Sequence, residues 1–86
     1  MKVYVYVHEW QFDSGDCGME TRVFDTVEKA KKQQMADYAP SLVDFQDRFG
    51  KDCVEVEKTP LTTSVFERGE YCYNHENFVI NILEVE

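Results

Sequence analysis

The sequence predicts an α+β fold: one small domain, β-β-α-(α)-β-β, with a mostly antiparallel sheet and helices on one face. Three observations carry this. Residues 3 to 12 alternate strictly and end in a cluster of turn formers. A stripe of helical period begins near Val27 and stops at Gly50. Residues 78 to 85 are apolar at both parities, as a strand inside a sheet should be. Eighty-six residues leave room for a single core, so residues 1–86 form one domain.

The first strand sends Val3, Val5, Val7, Glu9 and Gln11 to one face, and Tyr4, Tyr6, His8, Trp10 and Phe12 to the other. The valine face is expected to be core, because it matches a small-to-medium helix stripe of Val27, Ala30, Leu42 and Phe45. The aromatic face, tipped with polar atoms, then has two readings. It is a contact surface, or it is a second small core closed by residues 61 to 77.

Asp13-Ser14-Gly15-Asp16-Cys17-Gly18 turns the chain, and residues 19 to 24 return as the second strand of a hairpin. Asp25 or Thr26 can cap the helix that follows, and Glu28 completes a capping box if Asp25 is the N-cap. Val27, Ala30, Gln34 and Tyr38 share one helical face. Pro40 predicts a break, giving two short helices or one strongly kinked helix, with Ser41 capping the second. Leu42, Phe45 and Phe49 continue the apolar stripe to Gly50. Residues 52 to 58 alternate as a third strand. Residues 61 to 77, broken by Gly69 and by Asn74-His75-Glu76-Asn77, are expected to be a long connection with one helical turn. Residues 78 to 85 close the sheet from a central position.

Charge limits the function more than any motif does. A net charge of −8 disfavours direct nucleic-acid binding, which needs Lys and Arg to displace counterions from phosphates. It favours a cationic partner. Lys29, Lys31 and Lys32 are the only basic cluster and read as a solvated helix face. Lys2 leads straight into strand residues and no apolar run is long enough for a bilayer, so a soluble, cytoplasmic protein is expected, with no membrane partner. The odd set Cys17, Cys53 and Cys72 fits reduced thiols.

Catalytic and metal signatures are thin. Cys72 and His75 form a C-x-x-H pair, but a zinc site needs two such half-sites, and a thiol nucleophile needs an orienting group and oxyanion donors. The Asp13–Asp16 loop lacks the ligand ladder of a calcium site. No phosphate loop, serine-nucleophile motif or H-E-x-x-H occurs. No catalytic residue, metal site or cofactor is predicted.

With the hairpin, the helix start Phe24-Asp25-Thr26-Val27-Glu28-Lys29-Ala30 and the closing Ile82-Leu83-Glu84-Val85-Glu86 in view, the chain resembles short proteins encoded by bacteriophages and mobile elements of Gram-positive bacteria. By size and acidity it is also similar to phage anti-CRISPR proteins, some of which present acidic surfaces to DNA-binding grooves. The first resemblance carries over no activity and no functional residue; the second implies, by analogy, an inhibitor.

The leading expectation is a non-enzymatic binding protein that meets a basic surface of a host protein, with DNA mimicry as one form of that contact. Tyr4, Tyr6, His8, Trp10 and Phe12 would anchor the contact, with Glu9, Asp13, Asp16, Glu20, Asp44, Asp47, Glu55 and Glu57 as the acidic groups. The alternatives are a homodimer that sequesters a small ligand on the aromatic face, and a small metal- or thiol-dependent enzyme.

Overall fold

A computed structural model describes residues 1–68 and 74–85. Its element order is β1 (Lys2–Gln11), β2 (Cys17–Phe24), α1 (Val27–Phe49), a single 3-10 turn (Lys51–Cys53), β3 (Val54–Lys58), β4 (Thr62–Glu67) and β5 (His75–Glu84). The strands form one antiparallel sheet in the order β2-β1-β5-β4-β3. The α+β class holds, with one more strand and one helix fewer than the fullest expected order. No helix among the described residues is long and apolar enough to cross a membrane.

The β1–β2 hairpin closes as its turn formers dictate. Phe12 N donates to Asp16 O at 2.8 Å and Gly15 N to Phe12 O at 3.0 Å. Gly15 takes φ +93°, a conformation that L side chains adopt only with strain. At the start of α1, Thr26 is the N-cap, and its Oγ1 accepts from Lys29 N at 3.2 Å. Gly50, at φ +86°, ends the helix while its N–H bonds Gln46 O.

Pro40 does not break α1, which runs unbroken from Val27 to Phe49. Proline removes the N–H that would bond the carbonyl of Ala36. Ala36, Ala39 and Pro40 all lie on the exposed side, where water can take that bond. A single helix places Lys29, Lys31 and Lys32 near its positive end and Asp44 and Asp47 near its negative end. Asp25, which holds Lys29 Nζ at 2.9 Å, and Arg48 in the last turn partly offset this.

The largest correction concerns which face of β1 is core. The helix covers the aromatic face. Tyr6 (1% exposed), Phe12, Phe78 (0%), Ile80 and Val65 from the sheet pack with Ala30, Tyr38 and Phe45 of α1, and Tyr4, Trp10, Phe24, Leu42 and Phe49 lie against them. Val3, Val5 and Val7 lie on the open face, half-buried among their strand neighbours. Two physical reasons decide this. Aromatic rings remove more apolar area from water than valines, so the single helix gains most by covering them. The polar tips of Tyr6 and His8 also find partners inside, Asp37 and Glu76, so burial leaves these two satisfied.

Residues 61 to 77 contain strand rather than a covering connection. Thr62–Glu67 pairs with β3 on one side and with β5 on the other, and β5 begins at His75. Residues 69 to 73, with the expected Cys72 half of the C-x-x-H pair, lie outside the described residues. Phe66 stands opposite His75 on the open face, away from the aromatic face of β1. The central place expected for the last strand holds, since β5 sits between β1 and β4.

Candidate functional site

An open cleft of about 410 Å³ lies between the hairpin and the second half of α1. Its walls are His8 and Trp10 of β1, Phe12 just after it, Asp16 of the loop, Glu20 of β2, Asp37, Asp44 and Arg48 of α1, and Glu76 of β5. Each element contributes by simple periodicity. Even-numbered residues of β1 and β2 face the helix, and in the antiparallel register His8 stands opposite Glu20, Trp10 opposite both Gly18 and Glu76. On α1, Asp37, Asp44 and Arg48 fall seven and four residues apart, one stripe of the helix.

Five carboxylates thus face one guanidinium and one imidazole. Three of the five are tied down. Asp37 accepts from Tyr6 Oη–H at 2.7 Å and from Gln33 Nε2 at 3.0 Å. Burial, and then the neighbouring Asp37 carboxylate, hold the Tyr6 phenol far above its ordinary range. Glu76 Oε2 lies 2.8 Å from His8 Nε2, a hydrogen bond that becomes an ion pair when the imidazole is protonated. Asp44 pairs with Arg48 at 3.6 Å. Among the described residues, Asp16 and Glu20 have no ion-pair partner.

Aromatic packing shapes the same space. His8 stacks on Phe78 with centroids 4.6 Å apart and tilts against Trp10 at 5.1 Å. The Trp10 indole lies flat over Gly18, so closely that a Cβ at position 18 would collide with the ring. Arg48 sits over the Phe12 ring at 4.8 Å and near the Phe49 ring at 5.4 Å. The cleft therefore already seats one guanidinium on an aromatic face beside a carboxylate. Outside the cleft lining, the buried Asn74 accepts the Asp13 N–H at 3.0 Å and donates to Glu67 Oε2 at 2.6 Å, pinning the hairpin loop to the end of β4.

This arrangement suits a positively charged group. The His8–Glu76 pair also orients an imidazole as a general base requires, but the described lining offers no hydroxyl, thiol or amine for it to activate. Among the described residues no three His, Cys, Asp or Glu side chains are grouped to hold a metal ion. His75 stands on the open face, opposite Gln11 and Phe66.

Of the residues expected from sequence, the fold gathers His8, Trp10, Phe12, Asp16, Glu20 and Asp44 in the cleft, with Tyr6 beneath it through Asp37. The others lie apart. Tyr4 packs on the core; Glu9 is on the open face and accepts from Asn77 at 3.0 Å; Asp13 is in the loop. Asp47 is exposed on α1, Glu55 pairs with Arg68 at 2.7 Å, and Glu57 lies on the edge strand β3. Asp37, Arg48 and Glu76 were not foreseen. The helical spacing of Asp37, Asp44 and Arg48 was the one available signal, while Glu76 sat in a cluster that reads as a turn. Comparison with known protein families, with curated proteins and with solved structures finds no match.

Proposed function

We propose that this chain is an acidic, non-enzymatic binding protein whose cleft takes a lysine or arginine side chain from a basic surface of a partner protein. The observation that carries this reading is the cleft itself: five carboxylates around Trp10 and Phe12, with Arg48 already seated in the same manner. A desolvated cation beside carboxylates and over an aromatic ring is a recurrent anchor of protein contacts. The net charge of −8 adds long-range attraction to a basic partner. In the phage setting suggested by the resemblance, the partner would be a host protein that handles nucleic acid in the cytoplasm, and the chain would occupy its groove in place of DNA.

Trp10 is the only tryptophan, so its fluorescence reports the cleft directly. Titration with an arginine-rich peptide should shift that emission, with affinity falling as salt rises. Asp16→Lys and Asp44→Lys should each weaken binding by about tenfold. The chain should also displace the peptide from duplex DNA. Affinity that stays flat across ionic strength, or that both variants leave unchanged, sinks the reading. One observation favours a second reading, a small cationic ligand: the cleft volume falls in the range of small-molecule sites. Free arginine binding as tightly as the peptide would select it.

A further inference from the structure

The two edges of the sheet differ in a way that points to a partner. β3 is five residues long and carries Glu55, Glu57 and Lys58, the charged, short edge that discourages pairing. β2 has eight residues and exposes Met19 (65%) and Val23 (63%) along its length, with one acid and one base. Its backbone orientation follows from the hairpin. Phe12 N bonds Asp16 O, so hydrogen-bonded pairs with β1 fall at even positions of β2, and the N–H and C=O groups of Met19, Thr21 and Val23 point outward.

We infer that this edge pairs with β2 of a second copy of the same chain, antiparallel about a two-fold axis at Thr21. The sequence Met19-Glu20-Thr21-Arg22-Val23 is complementary to itself in that register. Thr21 meets the partner's Thr21, and Met19 meets the partner's Val23, both at hydrogen-bonded positions. Glu20 meets the partner's Arg22 at a close non-hydrogen-bonded position on the helix side of the sheet. About six backbone hydrogen bonds and two cross-strand ion pairs would form. The same register lays the partner's hairpin loop, with its Asp13 and Asp16, alongside the start of α1, where Lys32 is exposed without an ion-pair partner among the described residues and Lys29 is exposed but paired with Asp25. Opposite charge thus meets at both ends of an interface between two copies that each carry −8. The cleft and this edge share one residue, Glu20, which lines the cleft and meets the partner's Arg22, while Met19, Thr21 and Val23 belong to the edge alone.

Sedimentation velocity over a protein concentration series tests it. The native chain should dimerise. Glu20→Arg and Arg22→Glu should each raise the dimer dissociation constant by about tenfold or more, since like charges then face each other twice. Glu20→Arg also lowers the net negative charge, which by itself favours association, so weakening there reports the specific contact. Combining the two substitutions should restore the dimer. Thr21→Pro should give a monomer with an unchanged circular dichroism spectrum, because an edge strand tolerates proline where its N–H faces solvent. Peptide binding by that monomer keeps this result separate from the cleft. A native chain that stays monomeric at high concentration overturns the inference, as does a dimer indifferent to the three single substitutions or a double variant that does not recover.

Discussion

The two faces of β1 belong to the same ten residues, yet one is the core and the other is left open. On the helix side Tyr6 is almost fully enclosed, and its hydroxyl is held by Asp37. On the opposite side Val3 and Val5 are only half-buried, and their cross-strand neighbours Leu83 and Val23 remain exposed. The difference teaches that polarity at a ring's tip does not decide which face a helix covers. Area does, provided the tip finds a partner. A phenol or imidazole that looks suited to water is equally suited to a buried carboxylate.

The contrast can be broken most forcefully by truncation. Phe78→Ala, at a fully enclosed position beneath His8 and Tyr38, should cost about 3–5 kcal/mol in denaturant unfolding. Val5→Ala on the open face should cost about 1 kcal/mol or less. Comparable losses at the two sites would mean that the open face is covered in solution.

Tyr6→Phe sharpens the comparison by removing only the polar tip. Loss of the bond to Asp37 should destabilise by about 1–2 kcal/mol. It also predicts a pH effect. The folded phenol ionises far above its ordinary value of 10.0, so above about that pH the unfolded chain releases this proton while the native chain keeps it. The native protein should therefore lose stability as pH rises past 10, and the phenylalanine variant should lose less. Thermal unfolding across pH 8 to 11, on the order of the window set by tyrosine ionisation, measures this.

The smallest effect lies on the helix. Ser41 is buried, and among the described residues its Oγ has no hydrogen-bond partner. Ser41→Ala should gain about 1 kcal/mol, through relief of that hydroxyl and better helix propensity. A loss would reveal a partner for the hydroxyl and narrow the contrast between satisfied and unsatisfied burial.

Much of the frame was legible from short-range chemistry. The hairpin follows from Asp13 to Gly18, the helix start from Thr26, its end from Gly50, and its buried stripe from Ala30, Tyr38 and Phe45. What resisted reading depends on partners far away in sequence. Thr62–Glu67 places Thr63 and Val65 inside and Thr62, Ser64 and Phe66 outside, so its alternation is too weakly polarised to announce a strand. Asn74 to Asn77 are turn formers by composition. Pairing with Gln11, Trp10 and Glu9 overrides them from residue 75 onward. Pro40 predicts a break or kink from its missing N–H, yet the helix runs through it, because the carbonyl of Ala36 lies on the exposed side where water can replace the lost bond. Six of the nine cleft residues were visible as candidates. The assembly of the cleft was not, because Asp37, Glu76 and Glu20 meet only through the register of the sheet and the rotation of α1.

The ladder between β1 and β5 joins Lys2–Gln11 to His75–Glu84, so the middle of the sheet is made from strands more than sixty residues apart in sequence. During synthesis the hairpin and α1 can form while the chain is still emerging. The central ladder cannot close until residue 84 has left the ribosome. Until then β1 presents an unpaired inner edge of alternating valine and tyrosine, the kind of segment that associates wrongly when left waiting. Such distant pairing also slows closure, because loop entropy must be overcome before any contact rewards it. The net charge of −8 would, in that interval, keep one nascent chain from finding another.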